Sequence, residues 1–308
     1  MDAGSSNELT LDRAILGIEQ IERLEEDGAT IDELVSAIKE LHAGGTVELP
    51  VLPEGSRLFR AREIDRRPLT QSEVSYPPAH VVTKLGRANA PGHSMFYSCW
   101  GTDAYSDRNN MIGCLWETRA AEDKIYALSE WQTMEPLPLY PFGYRTVEFL
   151  ENPLPLGNLR SRRPFIIGAL PTEPMAAIQQ WESRVFTEGS DKRYPLSAAL
   201  TKYALDLRFN GAADEWEKVA GIVYPSVANG LSMDNVCLMP NVVDAAVALL
   251  GVRILRVRDM CIVEAGDEQA PADAVARAEI TLHETSSSCT DQGEIHWPRN
   301  WIMRSIFD

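Results

Sequence analysis

An α+β fold is predicted for this chain of 308 residues, on three observations. Strand-like runs and helical patterns both occur, but they do not alternate in the regular way that a doubly wound sheet demands. Hydrophobic residues make up 44% of the chain and seven are tryptophan, a composition that packs rather than stays disordered. The length suits one large domain or two small ones, each able to bury a core.

The elements follow in order. Leu11, Ile15, Ile18, Ile21 and Leu24 recur at helical spacing, and Asp27-Gly28 stops the run. Thr30-Ile31-Asp32-Glu33 reads as a capping box opening a second helix with Leu34, Ile38 and Leu41, and Gly44-Gly45 ends it. Residues 1–45 are therefore a helical hairpin with one apolar stripe per helix. A unit this small cannot bury both stripes alone, so it must dock on the main domain or on a second copy. After the linker 50–53 comes the main domain, 54–308. Its strand-like runs lie at 57–62, 95–99, 221–227, 236–239, 252–263 and 278–283. Helical patterns cover 174–187, 195–208 and 242–249, the last with Asn241 as its cap. The proline-rich stretch 135–174 reads as long surface loops, and 266–274 as a flexible excursion.

Charge is unevenly placed. The hairpin holds eleven acids and three bases, half of a net charge of −16, whereas residues 54–92 hold seven bases and four acids. This complementarity favours docking of the hairpin near 57–67, within one chain or across a homodimer. The positive stretch also suits a small anionic ligand, while the acidic whole argues against nucleic acid. No apolar run approaches the roughly 18 residues of a membrane span. The first residues lack the basic start and apolar stretch of a signal peptide, so a soluble cytoplasmic protein is expected. Five scattered cysteines without C-x-x-C predict reduced, buried thiols, and five histidines without metal-ligand spacing predict no metal site. Phosphate-cradling glycine loops and a nucleophile elbow are absent too; no glycines flank Ser226.

Five short blocks carry a resemblance. Leu58-Phe59-Arg60-Ala61-Arg62, Gly86-Arg87-Ala88-Asn89-Ala90-Pro91-Gly92 and Met95-Phe96-Tyr97-Ser98 come first. Cys114-Leu115-Trp116-Glu117 follows, and then Gly221-Ile222-Val223-Tyr224-Pro225-Ser226 with Asp234-Asn235-Val236. In this order, across about residues 55–265, they resemble the RES-domain family. Its members include NAD⁺-destroying toxins of bacterial toxin–antitoxin pairs, with a fold akin to ADP-ribosyltransferases. The resemblance places the family's arginine at Arg60, its tyrosine at Tyr97, its glutamate at Glu117 and its serine at Ser226. The interval from Tyr97 to Glu117, 20 residues, is long for the family, which leaves Glu122 and Glu130 as alternative acids.

The resemblance implies cleavage of the nicotinamide–ribose bond, with ADP-ribose passed to water or phosphate; NAD⁺ is substrate, and no cofactor is implied. Transfer to a protein, or a non-catalytic nucleotide- or partner-binding module, are the alternatives. Such a reaction develops positive charge on the ribose, which a carboxylate (Glu117) can stabilise. An arginine fork matches the diphosphate, a role for Arg60 with Arg87 in support. Tyr97 can stack on nicotinamide, Asn89 belongs to the binding block, and Ser226 can orient Glu117 or bond the ligand. Gly86 and Gly92 shape a turn. The family also implies a helix-turn-helix antitoxin as partner. Without the resemblance, each of these residues has an ordinary reading as strand arginine, core aromatic, surface glutamate or turn hydroxyl.

Overall fold

The structure, a computed structural model, describes residues 9–45, 47, 49–101, 107–143, 172–188, 191–207, 218–226, 233–263, 275–286, 288–290 and 292–297. The predicted excursion at 266–274 and most of the predicted loop at 135–174 lie outside them. The described residues form a mixed α+β fold. Nine strands make one sheet: β1 (Val51–Leu52), β2 (Arg57–Glu63), β3 (Phe96–Gly101), β4 (Ile125–Thr133), β5 (Leu137–Pro141), β6 (Gly221–Pro225), β7 (Asp234–Leu238), β8 (Val247–Val263) and β9 (Val275–Thr285). Their order is β1-β5-β6-β7-β3-β2-β4-β8-β9, and every neighbouring pair is antiparallel except β5 and β6. Two short strands, β10 (Ser288–Cys289) and β11 (Ile295–His296), pair separately. The helices are α1 (Leu11–Glu26), α2 (Ile31–Leu41), α3 (Gln71–Val74), α4 (Asp107–Glu117), α5 (Glu173–Thr187), α6 (Tyr194–Asp206) and α7 (Pro240–Ala246).

The two faces of the sheet follow from side-chain alternation. On β3, β6 and β7, Tyr97, Ile222, Tyr224 and Cys237 belong to a core shared with α1, α2, α5 and α6. Their neighbours Phe96, Val223, Val236 and Leu238 belong to a core on the other face, which α7 closes with Val242, Val243 and Ala246. A third cluster sits under α4, where Leu115 and Cys114 meet Phe59, Cys99 and Leu128.

The hairpin is predicted correctly as two helices, and the capping box is present. Glu33 Oε2 accepts from the Thr30 amide at 2.7 Å while the Glu33 amide donates to Thr30 Oγ1 at 3.3 Å. Its docking place is a correction. The stripes meet α5 and α6 rather than the 57–67 segment, and Ile21, Leu34 and Ile38 are fully buried there. Burial of each contributes about 1.5–3 kcal/mol. The hairpin's acids find bases outside the 54–92 stretch: Arg193 takes Glu22 at 3.0 Å and also pairs with Glu25, and Lys202 takes Asp32 at 2.6 Å. At the end of α2, His42 Nε2 lies 3.1 Å from the buried Glu182 Oε1, to which Tyr140 donates at 3.1 Å. The α1 stripe is also rotated from its predicted position. Ile15 is exposed and Ala14 is buried instead, because the small residues on that side let α2 come close. A Cβ on Gly17 would sit 2.8 Å from Leu41 Cδ1.

Two more predictions change. The helix expected over 242–249 ends at Ala246, and Val247 to Leu249 join β8 opposite Thr133 to Trp131. Its N-cap is Met239 with Pro240 in the first turn, not Asn241. Within the predicted loop region, Leu137–Pro141 is a buried strand. Pro138 is tolerated because its neighbour is only the two-residue β1.

Candidate active site where two strands part

The ladder between β2 and β3 is short. It pairs Arg57 with Gly101, Leu58 with Trp100 and Phe59 with Cys99, then stops. Beyond it β2 stays on β4 as far as Glu63, and β3 stays on β7 back to Phe96. The strands thus separate inside the sheet, and a cavity of ≈ 250 Å³ occupies the opening. Its walls come from Arg60 and Ala61 on one side, Tyr97 and Ser98 on the other, and Glu117 at the end of α4.

Arg60 spans the gap. Its Nη1 donates to the Tyr97 carbonyl at 2.8 Å, taking up an acceptor on the open edge of β3, and its Nε donates to the Ser75 carbonyl at 3.1 Å. The guanidinium carbon lies 5.7 Å from the centre of the Phe96 ring. Among the described residues no carboxylate comes within ion-pair distance of it. Burial above all, with repulsion from Arg62 second, pulls Arg60 down to about 10. Three other bases of the positive stretch are committed elsewhere: Arg57 to Glu130, Arg62 to the Glu73 carbonyl and Arg66 to the Glu73 carboxylate. A desolvated cation with only carbonyl partners is costly, and an anion entering the cavity would offset that cost.

Glu117 is the acid that the fold brings to the same cavity. Its Oε1 accepts two hydrogen bonds, one from the Ser226 hydroxyl and one from Asn235 Nδ2 at 2.8 Å. Ser226 follows β6 and is fully buried, so it reaches the cavity through Glu117 rather than by lining it. Glu130 is held between Arg57 and Arg253, and Glu122 is exposed in the turn before β4; neither lines the cavity.

Tyr97 contributes its ring to the wall, and its hydroxyl is tied down behind it. That oxygen accepts from the Ala88 amide at 2.9 Å and donates to Asn89 Oδ1 at 2.6 Å. Burial pushes the phenol well above its ordinary range, so it stays neutral. Asn89 therefore stands behind Tyr97 and not on the cavity wall. The turn that brings it there needs Gly86, where a Cβ would lie 2.5 Å from Asn89 Oδ1 and 3.0 Å from the Tyr97 hydroxyl. Arg87 does not line the cavity either. Its guanidinium donates to the carbonyls of Phe186 and Glu188 and lies 5.5 Å from the centre of the Tyr194 ring, joining the turn to α5 and α6.

Of the six residues singled out from the sequence, Arg60, Tyr97 and Glu117 meet at the cavity, Ser226 and Asn89 each hold one of these, and Arg87 braces the turn. Asn235 received no role from the sequence, although a polar residue leading directly into the apolar run Val236-Cys237-Leu238 signals a buried partner. The remaining wall contains the thiols of Cys99 and Cys114, both buried and free. Among the described residues, no group of three or more His, Cys, Asp or Glu is arranged to hold a metal ion, and no helix is long and apolar enough to cross a membrane. No protein-family model matches the chain, and no curated protein matches it.

Proposed function

We propose that this chain is a RES-like, ADP-ribosyltransferase-like enzyme that consumes NAD⁺, cleaving the nicotinamide–ribose bond and passing ADP-ribose to water or phosphate. The observation that carries the reading is one cavity holding both a desolvated guanidinium, without an acid partner among the described residues, and a carboxylate anchored through one oxygen. These are the two charges the reaction asks for. Arg60 meets the diphosphate, and Glu117 meets the sugar. As the C1′–N bond breaks, its electron pair leaves with neutral nicotinamide and positive charge spreads over the ribose ring. Glu117 stabilises that charge and fixes a ribose hydroxyl. Water or phosphate then adds at C1′; with water, one proton is released to solvent. The Tyr97 ring offers a flat face for nicotinamide.

As a toxin-like enzyme it acts in the cytoplasm beside a helix-turn-helix antitoxin that covers the cavity. The test is incubation of purified protein with NAD⁺, with and without phosphate. Nicotinamide release with free ADP-ribose or its 1-phosphate is expected. Release with label retained on protein moves the reaction to protein ADP-ribosylation. No release in either buffer overturns the reading.

A further inference from the structure

We propose that Asn235 is a positioning residue that sets which oxygen of Glu117 works in the cavity. The inference rests on the reading of Glu117 as the acid of NAD⁺ cleavage. Among the described residues, the two donors on Glu117, the Asn235 amide and the Ser226 hydroxyl, converge on Oε1. Oε2 therefore keeps its lone pairs for a ligand in the cavity that Glu117 lines. Two donors on one oxygen also stop the carboxylate from rotating about its terminal bond, and each comes from a different strand, β7 and the end of β6.

Asn235 can do this only if its own amide cannot flip, and Cys99 supplies the constraint. The Cys99 thiol donates to Asn235 Oδ1 at 3.5 Å, which leaves Nδ2 as the end that faces Glu117. The reversed amide would set its oxygen against a carboxylate oxygen and its N–H₂ against an S–H donor. Cys99 remains a donor because the neighbouring Cys114, and then burial, push its thiol well above the ordinary range. Cys114 in turn donates to the Phe59 carbonyl at 3.1 Å, on the last residue of β2 paired with β3. The relay Cys99–Asn235–Glu117 thus ties the orientation of the acid to the point where the strands part.

Two variants of nearly unchanged shape test it. Asn235→Asp replaces the donor by an acceptor, and Asn235→Leu removes both polar ends without adding charge. Each is expected to lower kcat for nicotinamide release by about 10²-fold, the loss typical of a misplaced reacting group. For Asn235→Leu, which adds no charge to the cavity wall, KM for NAD⁺ and the Kd of ADP-ribose should stay near wild type, since Arg60 is untouched. Cys99→Ser, which keeps a donor, should retain more activity than Cys99→Ala. A folded variant of Asn235 with wild-type kcat, or a loss confined to KM, overturns the proposal. A second readout is independent of turnover: the side-chain amide signals of Asn235 in ¹⁵N NMR. They should be slow to exchange in the wild type and fast in Glu117→Ala. If wild-type protein releases no nicotinamide but these signals behave as stated, the NAD⁺ reading fails and the positioning survives; fast exchange in the wild type refutes the positioning.

Discussion

Replacing Arg60 by Met separates a structural role from a binding role. The folded protein holds this guanidinium at about 10 instead of in the ordinary arginine range, which corresponds to about 3 kcal/mol against the charged form. The unfolded chain does not bear that penalty. It is therefore present throughout neutral pH and is lost only as pH climbs above 10. Met removes it, but leaves the Ser75 and Tyr97 carbonyls without their donor, at about 1–3 kcal/mol each. The net change in stability lies between a gain of about 1 and a loss of about 3 kcal/mol. Binding should behave differently. Removing the only cation on the cavity wall among the described residues should weaken ADP-ribose by about 2–5 kcal/mol, a rise in Kd of about thirty-fold to several thousand-fold. Urea unfolding followed by tryptophan fluorescence gives the first quantity, and calorimetric titration with ADP-ribose gives the second. A loss of stability well beyond about 3 kcal/mol, or an unchanged Kd, refutes the reasoning.

Glu117→Gln keeps an oxygen for Ser226 and Asn235 to donate to, so melting should hardly move while kcat for nicotinamide release falls about 10²–10³-fold. Ile38→Ala, in the fully buried face of α2, should cost about 2–5 kcal/mol; a change near zero by urea unfolding would mean that the hairpin is not docked on α5 and α6. Alkylation at pH 8 should leave Cys99 and Cys237 unmodified in the folded protein, because both thiols are pushed upward, Cys237 by burial, and mass mapping that finds either labelled before unfolding contradicts their placement.

The sequence made some of this plain and hid the rest for physical reasons. The capping box at Thr30 and the strand-like run at 57–62 are local signals, and both elements appear where expected. Helix α4 carries no legible helical signal, because Asp107–Glu117 mixes polar and apolar residues without a clear stripe and has Gly113 inside. Strand β4 went unread because Ile125–Thr133 is buried on both faces, which erases the alternation. Pro138 and Pro141 made β5 look like a loop. Charge counts carry no geometry, so they do not show where the hairpin docks: the arginines at 57, 62 and 66 are taken by Glu130 and Glu73. For the site, Arg60, Tyr97 and Glu117 were named from resemblance, whereas nothing local separates Glu117 from Glu130. Only the fold does so, by closing two arginines on Glu130 and aiming α4 at the gap.

We propose that the opening between β2 and β3 takes NAD⁺ with the diphosphate on Arg60 and the ribose on Glu117. A crystal structure of the Glu117→Gln variant with NAD⁺ measures this directly. Intact dinucleotide is expected, with phosphate oxygens in hydrogen-bond contact with the Arg60 guanidinium and the nicotinamide ribose beside residue 117. Dinucleotide bound elsewhere on the chain, or in the cavity with the diphosphate turned away from Arg60, would contradict it.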